Sequence, residues 1–188
     1  MYARTIEGKE YTFDFGTGLV EDNLLIVDRE TRSVWSQLAG TAVSGPMRHT
    51  PLPSLPSLQT TWGYWRALHP DTRVSIREGM EGRPYTYQVF TPGEPRERGT
   101  QVEHDVSTLG LGIVIGEDEW FFPLAELGRV DGPLQREMGG ASITIHHADD
   151  GVTAWAEDAA GEMLVTVMVY EPRWLAFYPE SRIFRAEV

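Results

Sequence analysis

Residues 65–74 read WRALHPDTRV, and residues 174–183 read WLAFYPESRI. Aligned, Trp, Ala, Pro and Arg are identical, and the acid, hydroxyl and final aliphatic positions match in kind. Pro70 ends a short helix begun after Thr60 and Thr61, two N-cap residues, because an interior proline breaks the helical hydrogen bonds. Pro172 suits the first turn of the second helix, where its missing N–H would be orphaned anyway. Each copy therefore predicts a short Trp-bearing helix, a Pro-terminated turn and a strand. So short a helix gains little alone, so its tryptophan must anchor it to a sheet.

Working outward, alternation or short apolar runs bounded by turn residues predict the strands. Tyr11, Phe13 and Phe15 alternate with polar partners and are punctuated by Gly16-Thr17-Gly18. Leu24–Val27 reads as a buried strand, Asp28–Arg32 as a hairpin turn, and Ser33–Leu38 as the returning strand. Gly40–Gln59 holds Gly45-Pro46 and PLPSLPSLQ and predicts an extended loop packed through its leucines. Arg73–Ile76 and Pro84–Phe90 are strand-like, and Thr91–Asp105 is a connection rich in Pro, Gly and charge. Beyond it come Leu109–Ile115, Trp120–Leu124, Ala141–His146, Val152–Ala156, Met163–Tyr170 and Arg182–Val188, with a short helix starting near Pro123. The expected fold class is α+β, mostly antiparallel β, with two pseudo-repeated halves and two short Trp-bearing helices. The halves span about 1–90 and 106–188, within a single domain covering 1–188.

Composition narrows the function. At 188 residues the chain can bury roughly 70% of its unfolded surface and needs no staple. It has no cysteine, which removes disulfides, zinc thiolates, iron–sulfur clusters and a cysteine nucleophile. A formal net charge of -12 repels nucleic acid and anionic membranes unless the bases cluster, and the arginines are scattered apart from Arg96 and Arg98. MYARTIEGKEYTFDF has no apolar core of a signal peptide, and Met163–Tyr170 is too short to span a bilayer. A cytoplasmic location is the default expectation.

A further set of motifs occurs in order: Asp28-Arg-Glu-Thr-Arg-Ser-Val-Trp-Ser-Gln37, Gly40-Thr-Ala-Val-Ser-Gly-Pro46, Thr61-Trp62-x-x-Trp65 and His69-Pro70-Asp71-Thr72. Together they resemble the bacterial and archaeal domain-of-unknown-function family 3179, whose members are often named only "(seleno)protein". The resemblance runs from about Thr12 to Tyr87, and more weakly through Glu119–Leu127 and the final Trp-Pro module. It implies a Cys-Pro-Leu-Cys segment, sometimes with selenocysteine, and thiol or selenol redox or metal chemistry. This chain lacks that segment, and the comparable position in its second half holds His146-His147-Ala148-Asp149-Asp150. The expectation is a member without the thiol motif that binds a ligand or runs another reaction.

Three constellations could carry chemistry. In DRETRSVWSQ, Asp28, Thr31 and Ser33 can close a turn upon themselves. Alternatively Arg29 offers an anion fork, with Thr31, Ser33, Trp35, Gln37 and nearby Trp62 lining a ligand pocket. His69 is matched by Tyr178 in the other copy, which favours a packed ring with a bonded tip. It also has the titration range for acid–base work, with Asp28 or Asp71 as partner. His146, His147 and Asp149 could ligate a divalent metal, although strand alternation puts His147 and Asp149 on one face and His146 on the other. The preferred reading is a polar turn with Asp149-Asp150-Gly151 at its tip, because at most two ligands share a face. Glu117-Asp118-Glu119 reads as a solvated turn. There is no GxSxG, P-loop, HExxH or helix-opening GxGxxG.

The long Gly40–Gln59 loop accompanies only the first Trp module, and long loops are where sites concentrate. The leading expectation is a pocket beneath that loop for a small, anionic ligand, with no cofactor. A cofactor-free enzyme using His69 with Asp28 or Asp71, and a structural subunit that forms homo-oligomers, are the alternatives.

Overall fold

The computed structural model of the protein describes residues 1–21, 23–75 and 108–186. A hairpin of β1 (Thr5–Ile6) and β2 (Lys9–Glu10) comes first. Its turn needs positive φ at both Glu7 and Gly8, a conformation glycine adopts freely. Next, β3 (Phe13–Val20), β4 (Asn23–Asp28), β5 (Val34–Ser36) and β6 (Thr41–Ser44) form an antiparallel sheet in that order. Asp28 to Arg32 is the expected turn between β4 and β5.

Three expectations change here. Gly16-Thr17-Gly18 does not end the first strand; β3 runs through it with a register shift between Phe15 and Leu19. Glycine is needed there because a Cβ on Gly16 would lie 2.8 Å from the Leu25 carbonyl oxygen. Leu24–Val27 is half-buried rather than buried, with Leu24 38% exposed. The Gly40–Gln59 loop is partly sheet: it opens with β6, and isolated bridges join Thr41 to Pro51 and Tyr2 to Ser54. Its leucines divide, Leu52 entering a core with Ile6, Tyr11, Trp35 and Ala42 while Leu55 stays exposed. Edge-on contacts of Tyr11 and Phe13 with the Trp35 ring fix that core.

The first Trp helix, α1 (Trp62–Leu68), begins on Thr61, whose hydroxyl accepts the Tyr64 N–H at 3.2 Å. It stops at His69, one residue before Pro70. Arg73–Ser75 form no strand. The remainder of that expected strand, the strand at Pro84–Phe90 and the Thr91–Asp105 connection lie outside the described residues.

In the second half, β7 (Leu109–Ile115) and β8 (Asp118–Pro123) make a hairpin followed by α2 (Leu124–Leu127). Then β9 (Leu134–Met138), β10 (Ala141–His147) and β11 (Ala154–Asp158) form an antiparallel three-stranded sheet with β10 central. Finally β12 (Val167–Tyr170) leads into α3 (Glu171–Phe177) and β13 (Arg182–Ile183). The last sheet runs β12-β7-β8-β13, with β13 parallel to β8. Strand β9 escapes pattern reading because Arg136 occupies its inward set between buried Leu134 and Met138. Its guanidinium lies over the Phe184 ring, 5.2 Å from the centroid, so its charge is accommodated there. Leu111, Ile113, Phe122, Ile143, Ile145 and Phe184 are among the residues of the main core. The fold is β-rich α+β, with mostly antiparallel sheets and short helices.

Candidate functional site

Asp28 is fully buried and sits at the end of β4. Its carboxylate accepts the Trp35 indole N–H at 2.8 Å, the Ser33 N–H at 3.1 Å, and the Thr31 N–H and hydroxyl at 2.5 and 2.8 Å. The Ser33 hydroxyl, 2.7 Å from that of Thr31, accepts the Met47 N–H at 3.0 Å. Burial pushes the Asp28 carboxyl up, but the bonds from Trp35, Thr31 and Ser33 outweigh it and hold it below the usual range. Asp28, Thr31, Ser33 and Trp35 thus form one sealed network that pins the β4–β5 turn and the Met47 loop. With Trp35 at 0% exposure, its ring is core and not a pocket wall.

Arg29 turns the other way. Its Nε and Nη2 both donate to Asp14 at 2.7 Å, on the outer surface, so its fork is already occupied by a carboxylate. Gln37 contributes its backbone carbonyl, which accepts the Tyr2 hydroxyl at 2.5 Å. The neighbouring Leu38 carbonyl accepts the Tyr178 hydroxyl at 3.0 Å, so the second half reaches the first at the residue beside Gln37. Trp62 is 51% exposed.

The two Trp modules have matching geometry. In the first, the Trp65 indole N–H donates to the Thr72 hydroxyl at 2.9 Å, and its ring lies 4.2 Å from that of His69. In the second, Trp174 donates to Ser181 at 2.7 Å and stacks on Tyr178 at 4.1 Å. His69 and Tyr178 both end their helices with φ near -130° and donate back to their tryptophan's carbonyl. Surroundings differ: Trp174 is buried against Phe121, whereas no residue of α1 is buried. Trp65, Leu68, His69, Pro70, Asp71 and Thr72 line an open hollow of about 450 Å³. His69 and Asp71 are therefore brought together there. Asp28 is not part of that lining, and its four donors all come from its own hairpin.

His146, His147 and Asp149 separate. His146 stacks on Trp155 with ring centroids 4.8 Å apart, and its Nε2 lies 3.1 Å from Glu157 Oε2 but out of hydrogen-bond alignment. The Trp155 indole N–H donates to the other Glu157 oxygen at 2.9 Å. His147 points to the opposite face, its Nε2 3.1 Å from the Val130 carbonyl. Asp149 is exposed in the turn. Among the described residues no group of three or more His, Asp or Glu is placed to hold a metal ion. Its neighbour Asp150 was missed and does more. It accepts the Val152 and Thr153 N–H groups at 3.0 and 2.8 Å, and the Thr153 and Thr61 hydroxyls at 2.6 and 2.9 Å. Burial alone would raise its carboxyl, yet these donors hold it at about 2. The spacing Asp150-x-x-Thr153 repeats Asp28-x-x-Thr31, a signal that could have found it.

A half-open pocket lies at the seam between the halves. A cavity of about 160 Å³ is bounded by Tyr2, Ser57 and Gln59 on one side and by Leu111, Ala154 and Thr166 on the other. Ser57 and Gln59 are the end of the long loop. Among the described residues, no Lys, Arg, Asp or Glu side chain lines this cavity. Its polar lining includes the Ser57 and Thr166 hydroxyls, the Gln59 amide and Met1, whose N-terminal ammonium donates to the Ser57 hydroxyl at 3.1 Å.

A family model described as "Protein of unknown function (DUF3179)" matches residues 1–180. No curated protein and no solved structure matches the chain.

Proposed function

Since the chain belongs to the DUF3179 family, we propose that it is a small-ligand-binding protein whose site is the cavity at the seam of two pseudo-repeated halves packed as one domain. The observation that carries this reading is the pairing of Ser57 and Gln59, from the end of the long loop, with Thr166 across a half-open space of about 160 Å³. A space of about 150 Å³ takes a benzene-sized molecule. The lining favours a small polar ligand of a few heavy atoms. Arg29 is spent on Asp14 and is not part of this lining, so it supplies no anion fork here. The support for a repeat is the shared hydrogen bond, ring stack and helix end of the two Trp modules. The test is a thermal-shift screen of small polyols and amides against the parent protein, Ala154→Leu and Thr166→Val. A compound that raises the parent's Tm and loses its effect in either folded variant supports the site. Equal shifts in all three proteins, or none from the whole panel, would count against it.

A second reading rests on a different observation, the hollow shared by His69 and Asp71. There the two would act as an acid–base pair without a cofactor. Hydrolysis of para-nitrophenyl acetate with a bell-shaped pH profile, abolished by His69→Ala, is its expected signature. An unchanged rate in that variant removes it.

A further inference from the structure

The sequence contains two Asp-Gly pairs, Asp131-Gly132 and Asp150-Gly151. Such a pair can rearrange on its own, because glycine lacks the Cβ that hinders its nitrogen from reaching the preceding side chain. Both glycines lie at positive φ, +75° for Gly132 and +69° for Gly151. Their carboxyl neighbours differ. Asp150 accepts the Val152 and Thr153 N–H groups and the Thr153 and Thr61 hydroxyls. These donors hold it at about 2, as an anion, and a carboxylate anion is a poor acyl electrophile. The Gly151 N–H is also engaged, donating to the Ala148 carbonyl at 3.4 Å.

Asp131 and Gly132 are both exposed, in the turn between α2 and β9. Among the described residues nothing donates to the Asp131 carboxylate, and the Gly132 N–H has no acceptor. The rearrangement takes place within the residue pair itself. It needs a turn free to bend and a water molecule, not a partner surface.

We infer that Asp131-Gly132 is a site of spontaneous aspartate isomerisation in the folded protein, whereas Asp150-Gly151 is protected by its own turn. The Gly132 nitrogen attacks Cγ of the protonated Asp131 carboxyl. A C–N bond forms, a Cγ–O bond breaks, and the amide hydrogen leaves with the hydroxyl as water. Water then opens the succinimide. Addition at Cγ restores aspartate. Addition at the main-chain carbonyl carbon gives isoaspartate, whose chain runs through Cβ and Cγ and whose α-carboxylate becomes the side group. No oxidant or reductant takes part. The product lengthens the connection between α2 and β9 beside Val130, whose carbonyl lies 3.1 Å from His147 Nε2. Its free α-carboxylate is the substrate of an isoaspartyl carboxyl methyltransferase, which adds a methyl group from a sulfonium donor.

Ageing the full folded chain at physiological temperature and mildly acidic pH tests the inference. Peptide mapping by mass spectrometry then locates isoaspartate at each pair, with enzymatic methyl transfer as a second readout. Asp131 should accumulate it at least roughly ten-fold faster than Asp150, the factor that breaking one charged hydrogen bond imposes on the protected pair. In urea the two pairs should react at similar rates, which assigns the difference to the fold. Asp131→Glu should abolish the change at that position, since the longer side chain must close a larger ring. Thr61→Val should speed the reaction at Asp150, and Thr153→Val serves if the first variant does not fold. Equal accumulation at the two pairs of the folded chain, none at Asp131, or a gap of the same size in urea overturns the inference.

Discussion

The Trp35 indole N–H donates to the Asp28 carboxylate at 2.8 Å, and neither side chain has any exposed surface. This bond joins the first-half core to the turn that sequence reading offered as a ligand site. Replacing Trp35 with Phe keeps most of the ring and removes the donor, and should cost about 1–2 kcal/mol. Asp28→Ala strands the buried donors of Trp35, Thr31 and Ser33 together and should cost roughly 3 kcal/mol or more. Urea unfolding followed by tryptophan fluorescence measures both. A neutral Asp28→Ala would show that the network is not what holds the turn.

Asp150 gives a dependence on acid. Its carboxyl is held at about 2, below the ordinary 3.8, so in that window the unfolded chain binds more protons than the native one. Stability from this group is complete above about 3.8 and is lost as pH falls toward about 2. The Asp150→Asn variant should show a flatter acid limb in Tm against pH. It should also loosen α1, since Thr61 loses a charged acceptor.

Two phenols set the alkaline limb. Burial raises Tyr2, with a contribution from Tyr178; burial also raises Tyr178, with a contribution from Glu119. Above the ordinary value of 10.0 the unfolded chain gives up its protons first, so stability falls as pH rises through the interval up to the native values. Tyr2→Phe and Tyr178→Phe should each reduce that fall. Each should also cost about 1 kcal/mol at neutral pH for the lost bond to Gln37 or Leu38. Thermal melts across alkaline pH provide the comparison.

Gly112→Ala and Gly18→Ala form a matched pair. The first drives a methyl into the buried Trp174 ring and should destabilise by roughly 1–3 kcal/mol, the usual scale of overpacking. The second meets only Leu25 Cδ1, at an ordinary 3.9 Å, and should change stability by no more than about 0.5 kcal/mol. Equal costs at the two glycines would contradict the different settings described for them.

Much of the fold was legible because it is local. Pro70, Thr61 and Pro172 punctuate their helices through backbone chemistry that acts within a turn, the apolar runs of β7 and β8 register consecutive buried positions, and the alternation in β10 registers burial on one face. What hid was non-local. Arg136 breaks the pattern of β9 because the Phe184 ring that receives it is distant in sequence. The parallel pairing of β13 with β8 leaves no short-range trace either. For the site, reading DRETRSVWSQ as a self-closing turn was available from Asp and Thr spacing. The outward turn of Arg29 onto Asp14 was not, because it depends on β3 lying beside β4. The seam cavity gathers Tyr2, Ser57 and Thr166 from separate parts of the chain, which no linear motif could announce.

The Thr61–Asp150 and Thr60–Thr153 bonds span 89 and 93 residues. With the Tyr178–Leu38 bond they fasten the chain's two ends to each other from either side of residues 76–107. Residues 1–75 and 108–186 are therefore joined by side-chain hydrogen bonds at three separate points, and not by chain continuity alone.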